Sequence, residues 1–131
     1  MNELNQHSRH RILLVDDYAL GRKLSVLRLH RAGFEVTTAS SGEEALEIAK
    51  RVPLDAIVSD IRMTGMDGFE LVAAVRSDPA LTRIPVVLLS SVLDEQDQQR
   101  ASTLGVMCVL RTTDFGEALD SLAAALGKRS D

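Results

Sequence analysis

Five short apolar runs punctuate the chain, at residues 12–15, 34–39, 56–58, 86–89 and 106–110, and the segments between them carry apolar residues at helical spacing. The first, third, fourth and fifth runs are nearly continuous, the pattern of strands buried on both faces of a parallel sheet. The second alternates Val36 with threonines, which suits a strand at a sheet edge.

The intervening segments predict helices. Leu20, Leu24 and Leu27 repeat at helical spacing ahead of Gly33, which closes the first. The second opens on Ser41-Gly42-Glu43-Glu44, a capping box, continues through Ala45, Ile48, Ala49 and Val52, and stops before Pro53. The third, over 68–77, places Phe69, Val72, Ala73 and Arg76 on one face. The fourth, over 94–104, is almost wholly polar and has little to bury. It predicts a solvated surface helix, with a partner-facing surface as the sharper reading. The fifth carries the strongest stripe, Phe115, Ala118, Leu119, Leu122, Ala123 and Leu126, between Asp114 and Glu117 at its start and Gly127 at its end.

Five strands alternating with five helices give an α/β domain of the (βα)5 type. Right-handed crossovers then make it a three-layer sandwich around a five-stranded parallel sheet. A length of 131 residues fits one domain with a real core. We assign residues 11–127 to that domain, residues 1–10 to a flexible N-terminal tail and residues 128–131 to a flexible C-terminal end. His7 and His10 belong, on this reading, to the tail rather than to a metal site.

Composition narrows the function. A net charge of −4 and aromatics at 3% disfavour direct nucleic-acid binding, which draws on a basic surface and stacking platforms. No apolar run approaches the roughly 18 residues of a membrane span, and residues 1–10 hold no signal-peptide core. The one cysteine, Cys108, sits inside an apolar run and reads as a buried thiol in a reducing compartment. A cytoplasmic location is expected.

The chemistry lies in what ends each strand. Run one is followed by Asp16-Asp17, run three by Ser59-Asp60, run four by Ser90-Ser91 and run five by Arg111-Thr112. In a doubly wound sheet, ligand sites form outside the carboxyl ends of the strands. One aspartate there is usually a turn residue; three carboxylates with hydroxyls on one rim are harder to explain as caps. Clustered carboxylates resist joint ionisation, and Mg²⁺ relieves that with few protein oxygens and several waters. The inferred chemistry is Mg²⁺-assisted phosphoryl transfer to a carboxylate. The segment after Asp16-Asp17 is neither a P-loop nor a dinucleotide fingerprint, and no nucleophile elbow is present.

These residues resemble the receiver domain of two-component response regulators. The resemblance rests on Ile12-Leu13-Leu14-Val15-Asp16-Asp17, on Gly33-Phe34-Glu35-Val36-Thr37-Thr38-Ala39 with Gly42-Glu43-Glu44-Ala45-Leu46, and on Asp55-Ala56-Ile57-Val58-Ser59-Asp60. It continues through Met63-Thr64-Gly65-Met66-Asp67-Gly68 and Ile84-Pro85-Val86-Val87-Leu88-Leu89-Ser90. It implies a flavodoxin-like fold with strand order 2-1-3-4-5. Asp60 would accept a phosphoryl group from a phosphohistidine on a histidine kinase or phosphotransfer protein. Asp16 and Asp17 would hold Mg²⁺, directly or through water, with Asp60 and the backbone carbonyl of Arg62. Ser90 matches the switch hydroxyl. The output surface, and a candidate homodimer face, would be the fourth helix, fifth strand and fifth helix, meeting a downstream effector protein or domain. The chain would be a signalling phosphoacceptor rather than an enzyme.

Departures gather at the end of run five. The family pattern has Lys-Pro where this chain has Thr112-Thr113, and an aromatic residue where it has Val109; Thr64 replaces a proline. Arg111 and Arg62 are the candidate substitutes for the lysine, although neighbouring strand residues point to opposite faces. Since a non-proline cis bond costs roughly 2.5–4 kcal/mol, a trans Thr112-Thr113 bond is expected. Two other readings stand beside the phosphoacceptor: a pseudo-receiver interaction module independent of phosphorylation, and a Mg²⁺-dependent phosphohydrolase using Asp60.

Overall fold

The computed structural model describes residues 9–127; of the expected flexible ends, 1–10 and 128–131, residues 1–8, including His7, and 128–131 lie outside the described residues. The strands are β1 (Arg11–Val15), β2 (Glu35–Ala39), β3 (Ala56–Asp60), β4 (Val86–Ser90) and β5 (Cys108–Arg111). They alternate with the helices α1 (Ala19–Arg31), α2 (Gly42–Arg51), α3 (Gly68–Ser77), α4 (Glu95–Thr103) and α5 (Phe115–Leu126). A 3-10 turn, Thr112–Asp114, leads into α5. All strand pairs are parallel, in the order β2-β1-β3-β4-β5, the topology expected from the sequence.

The pleat divides the apolar side chains between two cores. Leu13, Val15, Ile57, Val86 and Leu88 face α2, α3 and α4, where Phe69, Leu71, Val72 and Ala101 cover them. Ile12, Leu14, Val58, Val87 and Leu89 face α1 and α5, packed by Leu29, Phe115 and Leu122. Both faces of β1, β3 and β4 are therefore buried, as their continuous apolar runs require. β5 departs from that reading. It is an edge strand flanked only by β4, and Cys108, Val109 and Leu110 are half-buried.

Three helices differ in detail from their apolar spacing. The leucines of α1 point outward: Leu20, Leu24 and Leu27 are 55%, 52% and 53% exposed. Leu29 and Val26 make the core contact instead. Arg22 lies on the same face as Val26 and Leu29, and its Nη1 donates to the Asp16 carbonyl at 2.8 Å. In α3 the buried stripe is Phe69, Leu71, Val72 and Val75, and Ala73 is exposed. In α5 Phe115, Ala118 and Leu122 are buried, while Ala123 is exposed.

The helix ends are well specified. Ser41 Oγ accepts from Glu44 N at 3.1 Å, while Glu44 returns to Ser40 N rather than to the cap residue. Complete capping boxes, not anticipated from the sequence, open α3 (Asp67 with Glu70) and α4 (Asp94 with Asp97). Gly33 follows α1 at φ +97°, a conformation that glycine adopts without steric cost. His10 is not a tail residue. Its Nε2 donates to the Gly127 carbonyl at 3.0 Å, and its carbonyl accepts from Glu35 N at 2.9 Å, because the chain there is already paired with the start of β2.

Arg76 ties two connections together, α3–β4 and α4–β5. Its guanidinium donates to the carbonyls of Thr82, Ile84, Leu104 and Gly105 at 2.8–3.3 Å. Arg76→Met is expected to cost about 2 kcal/mol in urea unfolding, because half-buried carbonyls lose charge-assisted donors. Arg76→Lys should recover only part of that, since one ammonium cannot span the same four acceptors.

Candidate functional site

The carboxyl ends of β1, β3 and β4 bring Asp16, Asp17, Asp60 and Ser90 to one rim. Asp16 is 6% exposed. Its backbone N–H donates to Ala39 O at 3.1 Å, and its Oδ1 accepts from Tyr18 N at 2.9 Å. Gly21 permits α1 to approach, since a Cβ there would stand 2.8 Å from Asp16 Oδ2. Asp17 is exposed, and its Oδ2 accepts from Thr64 N at 2.9 Å, so the β3–α3 loop is anchored to the acidic pair. Ser90 is 3% exposed, with its Oγ 3.4 Å from Val92 N.

Asp60 is the last residue of β3 and half-buried. Burial, then a hydrogen bond and charge repulsion from Asp16, and then the charge of Asp17 push its carboxyl up to about 8. A carboxylate in that position gains from any bound cation. Among the described residues, however, no three His, Cys, Asp or Glu side chains are placed to hold one metal ion together. The three aspartates are near enough to repel one another, and Mg²⁺ would need only one or two of their carboxylates beside several waters.

A cleft of about 380 Å³ opens beside these groups, between α1 and the β5–α5 connection; Asp60, Arg62, Ser90, Thr112, Arg28 and Phe115 are on its walls. The two expected substitute cations fare differently. Arg62 borders the cleft, but its Nη2 donates to Asp97 Oδ2 at 2.8 Å, and Asp97 is almost buried at the start of α4. Arg111 pairs in register with Ser90, yet it is exposed and absent from the cleft walls, where Thr112 stands. The alternation of β5 accounts for this.

Two residues were missed by sequence reasoning. Asp97 reads as one polar residue of a solvated helix, and only the fold shows that it receives Arg62. Arg28 was missed as well, although Gly21, Ser25 and Arg28 share a helical face and all three line the cleft. Its guanidinium rests over the Phe115 ring, 5.2 Å from the centroid.

At the end of β5 no cis peptide bond occurs among the described residues, so Thr112-Thr113 is trans as expected. Val109 packs against the core under α2, α3 and α4. The position where the family pattern has an aromatic residue thus holds an aliphatic side chain.

The family model described as the response regulator receiver domain matches residues 12–116. The chain is 34% identical over 120 residues to the gliding motility regulatory protein of Myxococcus xanthus, covering 92% of this chain and 15% of that protein. It is 29% identical over 129 residues to chemotaxis protein CheV3 of Helicobacter pylori, covering 91% of this chain and 42% of that one. The chain thus spans less than half the length of either relative. Among solved structures, Vibrio cholerae chemotaxis protein CheY4 superposes with a TM-score of 0.79 at 31% identity, covering 91% of this chain and 99% of that one. A response regulator receiver protein from Pseudomonas putida gives 0.83 at 24% identity, covering 89% and 98%, a likeness of fold.

Proposed function

This chain belongs to the response regulator receiver domain family, and from that premise we propose that it is a phosphoacceptor of a two-component relay, with Asp60 as the acceptor. The observation that carries the reading is the carboxyl of Asp60 at the end of β3, held near Asp16 and Asp17 and raised to about 8 by burial and by their proximity. Asp16, Asp17, Asp60 and the Arg62 carbonyl would hold Mg²⁺, directly or through water. Bound there, Mg²⁺ supplies the charge neutralisation that phosphoryl transfer needs.

The remaining steps belong to the chain itself. A carboxylate oxygen of Asp60 forms the new bond to phosphorus, and the donor's P–N bond breaks with its electron pair going to the imidazole nitrogen. Ser90 Oγ–H donates to a phosphoryl oxygen. The donor would be a histidine kinase or a histidine phosphotransfer protein, and the exposed leucines of α1 beside the rim offer it a face. The polar helix α4, with β5 and α5, would form the surface toward an effector or a second copy. The site serves signalling, in the cytoplasm, with turnover directed only at its own phosphoryl group.

Incubation with a small acyl phosphate and Mg²⁺ is expected to add one phosphoryl mass to the intact protein, and a chelator should prevent it. No adduct under these conditions would count against the proposal. One pair of observations favours a second reading, a pseudo-receiver. Thr112 stands on the cleft wall in place of the lysine, and Val109 in place of the aromatic. Partner binding unchanged by phosphodonor and by Asp60→Asn would favour that reading.

A further inference from the structure

We propose that Arg28, on α1, is the cation that meets the phosphoryl group on Asp60, in place of the lysine that β5 lacks. The inference rests on the phosphoacceptor reading above and deepens it.

Four arginines stand near the acidic rim, and three are committed elsewhere or turned away. Arg22 donates to the Asp16 carbonyl at 2.8 Å. Arg62 is paired with Asp97 at 2.8 Å. Arg111 is exposed and outside the cleft walls. Arg28 lines the same cleft as Asp60, Ser90 and Thr112, and its guanidinium makes no hydrogen bond or ion pair among the described residues.

What it does make is a contact with the Phe115 ring, 5.2 Å from the centroid. Phe115 is the first residue of α5, three positions beyond Thr112. A cation over an aromatic face at an exposed site is held by only about 0.5–1 kcal/mol. A phosphoryl dianion offers a planar guanidinium two charge-assisted bonds, which are stronger. The short side chain of Thr112 leaves the space between ring and rim open, where a lysine would otherwise stand. Arg28 thus rests on Phe115 until phosphoryl oxygens draw it across the cleft. No covalent bond of Arg28 changes: Asp60 oxygen bonds to phosphorus, the donor's bond breaks with its pair leaving on the donor, and Arg28 donates hydrogen bonds to the phosphoryl oxygens.

The test follows the rate of adduct formation with a small acyl phosphate and Mg²⁺ by intact mass, on the full chain. Arg28→Met is expected to slow it by about tenfold or more, the scale of one lost charge-assisted contact. Mg²⁺ affinity and thermal midpoint should stay at the wild-type values. Arg28→Lys should fall between the two, and adding Thr112→Lys to Arg28→Met should restore much of the rate. A wild-type rate in Arg28→Met would overturn the proposal. So would a slow variant that has also lost Mg²⁺ affinity or stability, or one that Thr112→Lys fails to rescue. If the wild-type chain takes up no phosphoryl group, the phosphoacceptor reading itself falls; uptake by wild type with no effect of Arg28 removes this inference alone.

Discussion

Asp60→Asn is expected to make the metal-free protein more stable above neutral pH, by on the order of 2 kcal/mol. The folded carboxyl titrates near 8 because burial and then Asp16 and Asp17 disfavour its charge, against 3.8 in the unfolded chain. The folded state therefore holds a proton that the unfolded state has released, and stability falls as pH rises from 3.8 toward 8. A shift of that size converts to about 6 kcal/mol; Asp60 is only half-buried, and solvent screening cuts it to on the order of 2 kcal/mol. Asparagine carries no charge at any pH and escapes the loss. Urea unfolding in chelator should show the gain at about pH 8.5 and a much smaller one at about pH 5. Added Mg²⁺ should reverse the order, because it binds and stabilises the wild-type fold more than the variant. A variant less stable than wild type at alkaline pH without metal would contradict the account of why Asp60 is reactive.

Gly68→Ala is expected to destabilise by about 2–3 kcal/mol. A Cβ at Gly68 would collide with the carbonyl oxygen of Asp60 and stand 2.9 Å from the Ile61 Cα. Those are backbone atoms of the acceptor strand, so no side chain can swing away to relieve the clash. Gly68 N also donates to the Ile61 carbonyl at 2.8 Å, which fixes the start of α3 against the end of β3. The useful control is Gly116→Ala, where nothing lies within 4 Å of the added methyl and a helical position gains up to about 1 kcal/mol. The two substitutions should differ in sign under the same urea titration. A Gly68→Ala protein within about 0.5 kcal/mol of wild type would show that the loop is slacker than its packing indicates.

The sheet was legible in the sequence because strands buried on two faces leave near-continuous apolar runs, and those runs ended on the rim residues. The orientation of α1 was not. Leu20, Leu24 and Leu27 obey helical spacing, but spacing says that residues share a face and not which way that face points. Leu29 and Val26 take the core contact instead, with Arg22 on the same face bonded to a strand-end carbonyl. The same limit hid Arg28 and the Arg62–Asp97 pair, whose partners are distant in sequence. Asp16, Asp17, Asp60 and Ser90 could be named early because each directly follows or ends an apolar run. Arg111 also sits at such an end, and the pleat of β5 keeps it outside the cleft.

On the phosphoacceptor reading, Asp60 and no other carboxylate of the rim takes the phosphoryl group. Borohydride reduces an aspartyl phosphate to homoserine, which tandem mass spectrometry places at a single residue. After treatment with a small acyl phosphate and Mg²⁺, homoserine is expected at position 60, with Asp16 and Asp17 unchanged. Homoserine at position 16 or 17, or an unmodified Asp60 in a protein that has gained phosphoryl mass, would contradict it.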